Sequence, residues 1–174
     1  MKTNYDWCLE TYLKSKPYIK NFRIAIDIGC RDGDYSLPLI EDFDKVHAFD
    51  YRPRMKYKNK KLTYYQVALG DISTEVKATG GVIKEDGDKF VQQKRLDDYT
   101  LSDVDYIKID VEGHELKVLK GAIATIEKCN ISMDDVALVG GYKMDAFEEF
   151  YLRKFKNIKY ASTKALGCGI KFKR

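Results

Sequence analysis

The chain has 174 residues, of which 44% are hydrophobic and 33% charged; this excludes a disordered chain and leaves room for one domain of ordinary size. Its 31 Lys and Arg exceed its 27 Asp and Glu by four, too mild an imbalance to name a partner. No long uncharged apolar window occurs, the start MKTNYDWCLE lacks a signal-peptide layout, and Cys8, Cys30, Cys129 and Cys168 form no C-x-x-C pair. A cytoplasmic protein with reduced, mostly buried thiols, no membrane contact and no zinc knuckle is expected.

Residues 3–16 place Tyr5, Cys8, Leu9, Tyr12 and Leu13 at helical spacing, and Pro17 stops the pattern. An N-terminal helix is expected over 1–20, with Tyr5, Trp7 and Tyr12 on a core-facing stripe. Three short apolar runs, 22–28, 45–49 and 62–67, read as buried strands, and 35–43 reads as a helix between the first two. Strand, helix, strand in so short a span is a βαβ unit. Residues 72–95 hold alternating stretches broken by Gly80-Gly81 and Asp86-Gly87, which predicts a hairpin insertion. A strand over 104–109, a helix over 115–127, a strand over 136–139 and a helix over 146–155 follow; two apolar runs around Gly167 and Gly169 suit an antiparallel terminal hairpin. The alternation makes an α/β open sheet of one domain spanning 1–174.

Ligands of such sheets sit beyond the carboxyl ends of the strands, and three strand ends carry unusual residues. In IDIGCRDG at 26–33, Asp27 lies near the strand end, and Gly29 and Gly33 permit a tight turn to which a ligand can come close. Arg31 and Asp34 break the G-x-G-x-x-G pattern of a dinucleotide fingerprint. Asp50, in HAFDYRP, follows Asp27 by 23 residues, the place where an acid commonly holds a ribose diol. In IKIDVEGHELKVLKGA, continued alternation would put Asp110, Glu112 and His114 on one face, with Gly113 ending it. Such a trio could supply a general base or bind a divalent ion.

The glycine loop, Asp50, YYQVALGD at 64–71, RLDDYTLSDVDYIKIDVEGHE at 95–115 and the following LKGA together resemble the FkbM family of S-adenosylmethionine-dependent methyltransferases, over about residues 22–127. The L-D-x-Y, spacer, K-I-D-x-E-G-x-E succession is the distinctive part. The resemblance implies a Rossmann-like class I methyltransferase fold: a mostly parallel central sheet, an antiparallel C-terminal strand and helices on both faces. It implies that Asp27, Gly29 and Gly33 surround the methionine part of S-adenosylmethionine, together with Arg31, which with Cys30 replaces the family's usual Ala-Asn pair. Asp50 would receive the ribose hydroxyls and Tyr51 would flank the adenine. Ala68 would close the adenine pocket, with Asp71 beside it, and Asp110 would stand near the sulfonium.

The expected activity is O-methylation of a hydroxyl on a sugar or small metabolite, leaving S-adenosylhomocysteine. Asp110, Glu112 and His114 are the candidate catalytic residues, and His114 has the unperturbed pKa nearest neutrality. A divalent metal on these three is not favoured, so no metal site is assigned. The run YRPRMKYKNKK at 51–61 carries six basic side chains and no acidic one, and residues 153–174 carry eight, so the rest of the chain is net acidic. An anionic small molecule or glycan would suit the 51–61 loop; nucleic acid is the alternative acceptor, although the Lys, Asp, Lys, Glu tetrad of ribose 2′-O-methyltransferases lacks its final Glu here. A non-catalytic binding module is the third reading.

Overall fold

A computed structural model describes residues 2–128, 137–140 and 161–162. The central sheet contains β1 (Ile24–Ile28), β2 (Lys45–Phe49), β3 (Leu62–Tyr65), β8 (Val104–Ile109), β9 (Ala137–Gly140) and β10 (Ala161–Ser162). Its order is β10-β9-β8-β1-β2-β3, and every neighbouring pair is parallel. The near-continuous apolar character of β1 and β8 follows, because a parallel strand in mid-sheet is covered on both faces.

The period of two sorts the side chains between those faces. Ile26, Ile28 and Ile107 pack with Val118, Leu119 and Ile126 from α3 (Glu115–Lys120) and α4 (Ile123–Lys128). Ala25, Val46 and Tyr106 pack on the other face with Tyr12 from α1 (Asn4–Ser15) and Leu39 and Ile40 from α2 (Ser36–Asp42). Helices on both faces of a parallel sheet make the fold Rossmann-like. Helix α1 starts where Thr3 and Asp6 form a reciprocal capping box. Its expected aromatic stripe is corrected: Tyr12 is buried, but Trp7 is 52% and Leu13 51% exposed, and Tyr5 also faces outward. The apolar residues exceed what one helix face can bury, and Tyr12 alone of the expected aromatic trio reaches Tyr106.

The apolar run at 62–67 is a strand only as far as Tyr65, and the chain then passes to a second sheet. After β3, the Val67 N–H donates to the Tyr65 carbonyl at 3.0 Å, and the resulting turn sends β4 (Ala68–Leu69) into a second sheet. There β5 (Thr74–Thr79), β6 (Val82–Ile83) and β7 (Lys89–Lys94) complete the order β4-β7-β5-β6. The expected insertion is therefore three strands, with β5 antiparallel to both β6 and β7. Gly80 and Gly81, both at positive φ, turn β5 into β6, the backbone that a two-residue hairpin loop requires. The helix expected over 115–127 is interrupted at Gly121-Ala122. The helix expected over 146–155 and the apolar runs around Gly167 and Gly169 lie outside the described residues; Ala161–Ser162 runs parallel to β9.

Candidate functional site

The strand order reverses between β1 and β8: the chain proceeds from β1 to β2 and β3 on one side, and from β8 to β9 and β10 on the other. Beyond the carboxyl ends of these two strands lies the crevice in which open α/β sheets bind ligands. Gly29 stands at its floor with φ +76°, and a Cβ there would lie 1.9 Å from the Asp110 carbonyl oxygen. The glycine is thus required by the approach of the β8 end, a neighbouring strand rather than a ligand.

Beneath this floor a buried ion pair joins the same two strands. The Lys108 ammonium lies 3.0 Å from Asp27 Oδ1 and donates to the Ile28 and Gly29 carbonyls at 3.3 and 2.9 Å. Ser36 Oγ donates to Asp27 Oδ2 at 2.7 Å, which ties the start of α2 to the pair. Burial disfavours the ammonium, but the Asp27 and Asp110 carboxylates outweigh it and raise its pKa above the ordinary lysine value. Lys108 therefore stays charged, and it holds the glycine turn through two carbonyls.

Above the floor is a cavity of about 290 Å³, near the lower end of the usual size of small-ligand pockets. Gly29, Arg31, Asp50, Tyr51, Ala68, Asp110 and Glu112 all line it, so seven of the residues singled out in the sequence are brought together. Phe49, Val67, Leu69, Val82 and Ile83 add apolar wall. Arg31 and Glu112 both take left-handed backbone, with φ +50° and +56°, a conformation that non-glycine residues adopt rarely and that concentrates at functional sites.

Asp50, at the end of β2, is buried and fully engaged. Its Oδ2 accepts the Arg31 N–H at 3.0 Å and Arg52 Nη2 at 2.9 Å; its Oδ1 accepts the Arg52 N–H at 2.8 Å and Arg52 Nε at 2.9 Å. Burial pushes this carboxyl up, but the Arg52 guanidinium and the two backbone N–H groups prevail and hold it below the ordinary carboxylate range. Tyr64 fixes the turn from outside, its hydroxyl donating to the carbonyls of Asp50 and Arg52 at 3.0 and 2.5 Å.

Four expectations are corrected in position. Asp27 does not line the cavity but supports it from below, and Gly33 faces Met55 and Tyr57, either of which a Cβ would meet within 3 Å. Asp71 is half-buried outside the cavity, on the side of His114, whose titration it influences. His114 itself is buried, with Nε2 2.8 Å from Gln93 Oε1. The left-handed backbone at Glu112, followed by Gly113 at φ +98°, ends the alternation where Gly113 was expected to, so Asp110 and Glu112 reach the cavity and His114 turns toward Gln93 of the second sheet. Burial first, then Lys117, lowers the His114 pKa.

The basic run at 51–61 folds back on the glycine loop. Arg54 Nε and Lys56 Nζ pair with Asp32 at 2.9 and 2.6 Å, the Tyr57 hydroxyl donates to Asp34 at 3.1 Å, and Lys61 Nζ donates to the Ile40 carbonyl at 3.1 Å. Whether residues 153–174 adjoin it falls outside the described residues. Sequence reasoning missed Arg52, Arg54, Val82, Ile83 and Lys108 as parts of the site. The K-I-D motif contained Lys108, and its buried neighbour Asp27 was the available signal; no local pattern marked the β6 pair.

Among the described residues no helix is long and apolar enough to cross a membrane, and no three acid, His or Cys side chains converge to hold a metal ion. Cys30 is a buried free thiol and Cys8 a half-buried one.

Fold and site define a Rossmann-like α/β protein with a cavity at the topological switch point, floored by glycine and flanked by an acid at the next strand end. Residues 55–158 match the model of the methyltransferase FkbM domain, more than half of the chain. The chain belongs to the FkbM methyltransferase family. Among solved structures it is similar to methyltransferase FkbM from Methylobacillus flagellatus KT, at 18% identity and TM-score 0.46 over 72% of this chain and 42% of that one. It is also similar to a proposed type II methyltransferase from Anaeromyxobacter dehalogenans, at 15% identity and TM-score 0.35 over 92% of this chain and 45% of that one. The chain thus spans less than half the length of either protein. No curated protein matches it.

Proposed function

We propose that the cavity binds S-adenosylmethionine and that the chain acts as a methyltransferase on a hydroxyl of a sugar or small metabolite. The observation that carries this reading is the convergence of Gly29, Asp50 and Asp110, from three strand ends, on one cavity at the switch point. The donor set suits such a cofactor: a carboxylate at the β2 end for a diol, apolar Val82, Ile83 and Leu69 for a base, and a guanidinium and a carboxylate, Arg31 and Asp110, for an amino-acid end. When bound, the cofactor supplies an electrophilic methyl group and its own leaving group.

The chain's tasks are then alignment and proton removal. Asp110 and Glu112 are exposed carboxylates on the cavity, and neither makes a side-chain hydrogen bond or ion pair among the described residues. They would orient the acceptor hydroxyl and take its proton; His114, bonded to Gln93 inside the protein, would not. A small acceptor is favoured over nucleic acid because Arg52, Arg54, Lys56 and Lys61 already have partners within the chain, which leaves Lys58 and Lys60 as the cations of the loop without such a partner among the described residues.

The test is transfer of a labelled methyl group to a panel of sugars, sugar phosphates, hydroxylated metabolites and RNA, with cofactor affinity measured in parallel. Transfer to a hydroxylated small molecule is expected. Asp50→Asn should bind S-adenosylmethionine at least about tenfold more weakly, since it loses a charge-assisted acceptor. A folded wild-type chain that does not bind S-adenosylmethionine would overturn the reading.

A further inference from the structure

The Asp50 carboxylate has no hydrogen-bonding capacity left for a diol. A carboxylate accepts about four hydrogen bonds, and all four are used: two by the backbone N–H groups of Arg31 and Arg52, two by the Arg52 guanidinium. The backbone donors are fixed by the turn that Tyr64 clamps. The guanidinium donors sit at the end of a flexible side chain and can leave. Arg52 is nevertheless held in a shaped place. Its guanidinium carbon lies 5.7 Å from the Tyr51 ring centroid, and its Nη1 comes so near Gly81 that a Cβ there would lie 2.5 Å away.

We propose that Arg52 and a ribose diol compete for the same two oxygens of Asp50, so that a nucleoside ligand enters by exchanging its hydroxyls for the guanidinium. Arg52 then sets the affinity of the ribose subsite, as the competitor that a diol must displace. A ligand that brings two O–H donors replaces what it displaces, whereas one without them leaves Asp50 to Arg52. No bond is made or broken in the exchange; the released cation stays tethered at the cavity edge beside Tyr51 and the β5–β6 turn. This inference rests on the cofactor reading given above.

The two are separated by titration calorimetry of wild type, Arg52→Gln and Arg52→Ala with S-adenosylhomocysteine, adenosine and adenine, with melting curves to verify folding. Removing the competitor should tighten S-adenosylhomocysteine and adenosine about fivefold, the scale of one partly exposed ion pair, and leave adenine unchanged. Arg52→Gln keeps most of the side-chain length and reads the loss of charge if Arg52→Ala does not fold. Wild-type binding of S-adenosylhomocysteine that is equalled or weakened in both variants would overturn the exchange while leaving the cofactor reading intact. Equal tightening of adenine would also overturn it, since Arg52 would then merely fill space. Failure of all three folded proteins to bind S-adenosylhomocysteine would overturn the cofactor reading and the exchange with it.

Discussion

Lys108 and Asp27 show how much one buried pair can govern. Asp27 is fully buried and Lys108 nearly so, and the ammonium holds two carbonyls of the glycine turn besides its carboxylate. Lys108→Met should cost about 3–5 kcal/mol in urea unfolding, because it strands an uncompensated carboxylate. Adding Asp27→Asn to that variant should recover part of the loss, a result that simple loss of packing would not give. The two histidines set the acid side of stability. Burial, with a smaller contribution from Lys45, pushes His47 down to about 4, and burial with Lys117 lowers His114. Each binds a proton more readily unfolded than folded. Stability should therefore be complete above about pH 7 and fall as pH drops from 6.5 toward 4. A urea midpoint flat across that window would contradict the burial of both rings.

Among the elements, the family's L-D-x-Y motif has a structural reading that its residue types alone did not disclose. Leu96 is fully buried; Asp97 accepts the Ala124 and Thr125 N–H groups at 3.1 and 2.7 Å and so caps the start of α4; Tyr99 packs edge-on against Phe49 and Tyr65. The Glu115 carboxylate likewise accepts the Val111 and Gly113 N–H groups and closes the loop that carries Asp110 and Glu112 to the cavity. Much of the motif therefore builds the walls, while Arg31, Asp50 and Tyr51 line the cavity itself. Asp97→Ala should lower stability by about 1–2 kcal/mol in urea unfolding, the usual cost of a lost helix cap. Strands β1, β2 and β8 were readable to within a residue or two because each is a short, buried apolar run. The transfer of the chain from β3 to the second sheet was not, since a kink at Val67 depends on a backbone bond that no side-chain pattern announces. Gly113 marked in the sequence where the alternation stops, but not that His114 would then turn inward to bond Gln93, since that contact joins residues 21 positions apart.

For the whole molecule, the mild net charge conceals an internal arrangement. The cavity gathers Arg31, Arg52 and Arg54 from the β1 and β2 ends with Asp110 and Glu112 from the β8 end; Arg52 and Arg54 are paired with Asp50 and Asp32, whereas Asp110 and Glu112 have no such partner among the described residues. That gathering follows from strand order, which brings residues some eighty positions apart, such as Arg31 and Asp110, to one cavity, and the linear charge count could not show it. The same order bears on how the protein acquires its shape. Strands β1 and β8 are direct neighbours, register Ile28 with Ile109, and are separated in sequence by β2 through β7. A nascent or refolding chain can form the β1–α2–β2 unit from nearby residues, but the cavity floor must wait for the long-range closure that brings Asp110 to Gly29. Loop-closure entropy makes such distant parallel pairing slow. The cavity should consequently form only with that pairing, and a fragment ending after β2 should fold its local unit without a cavity floor.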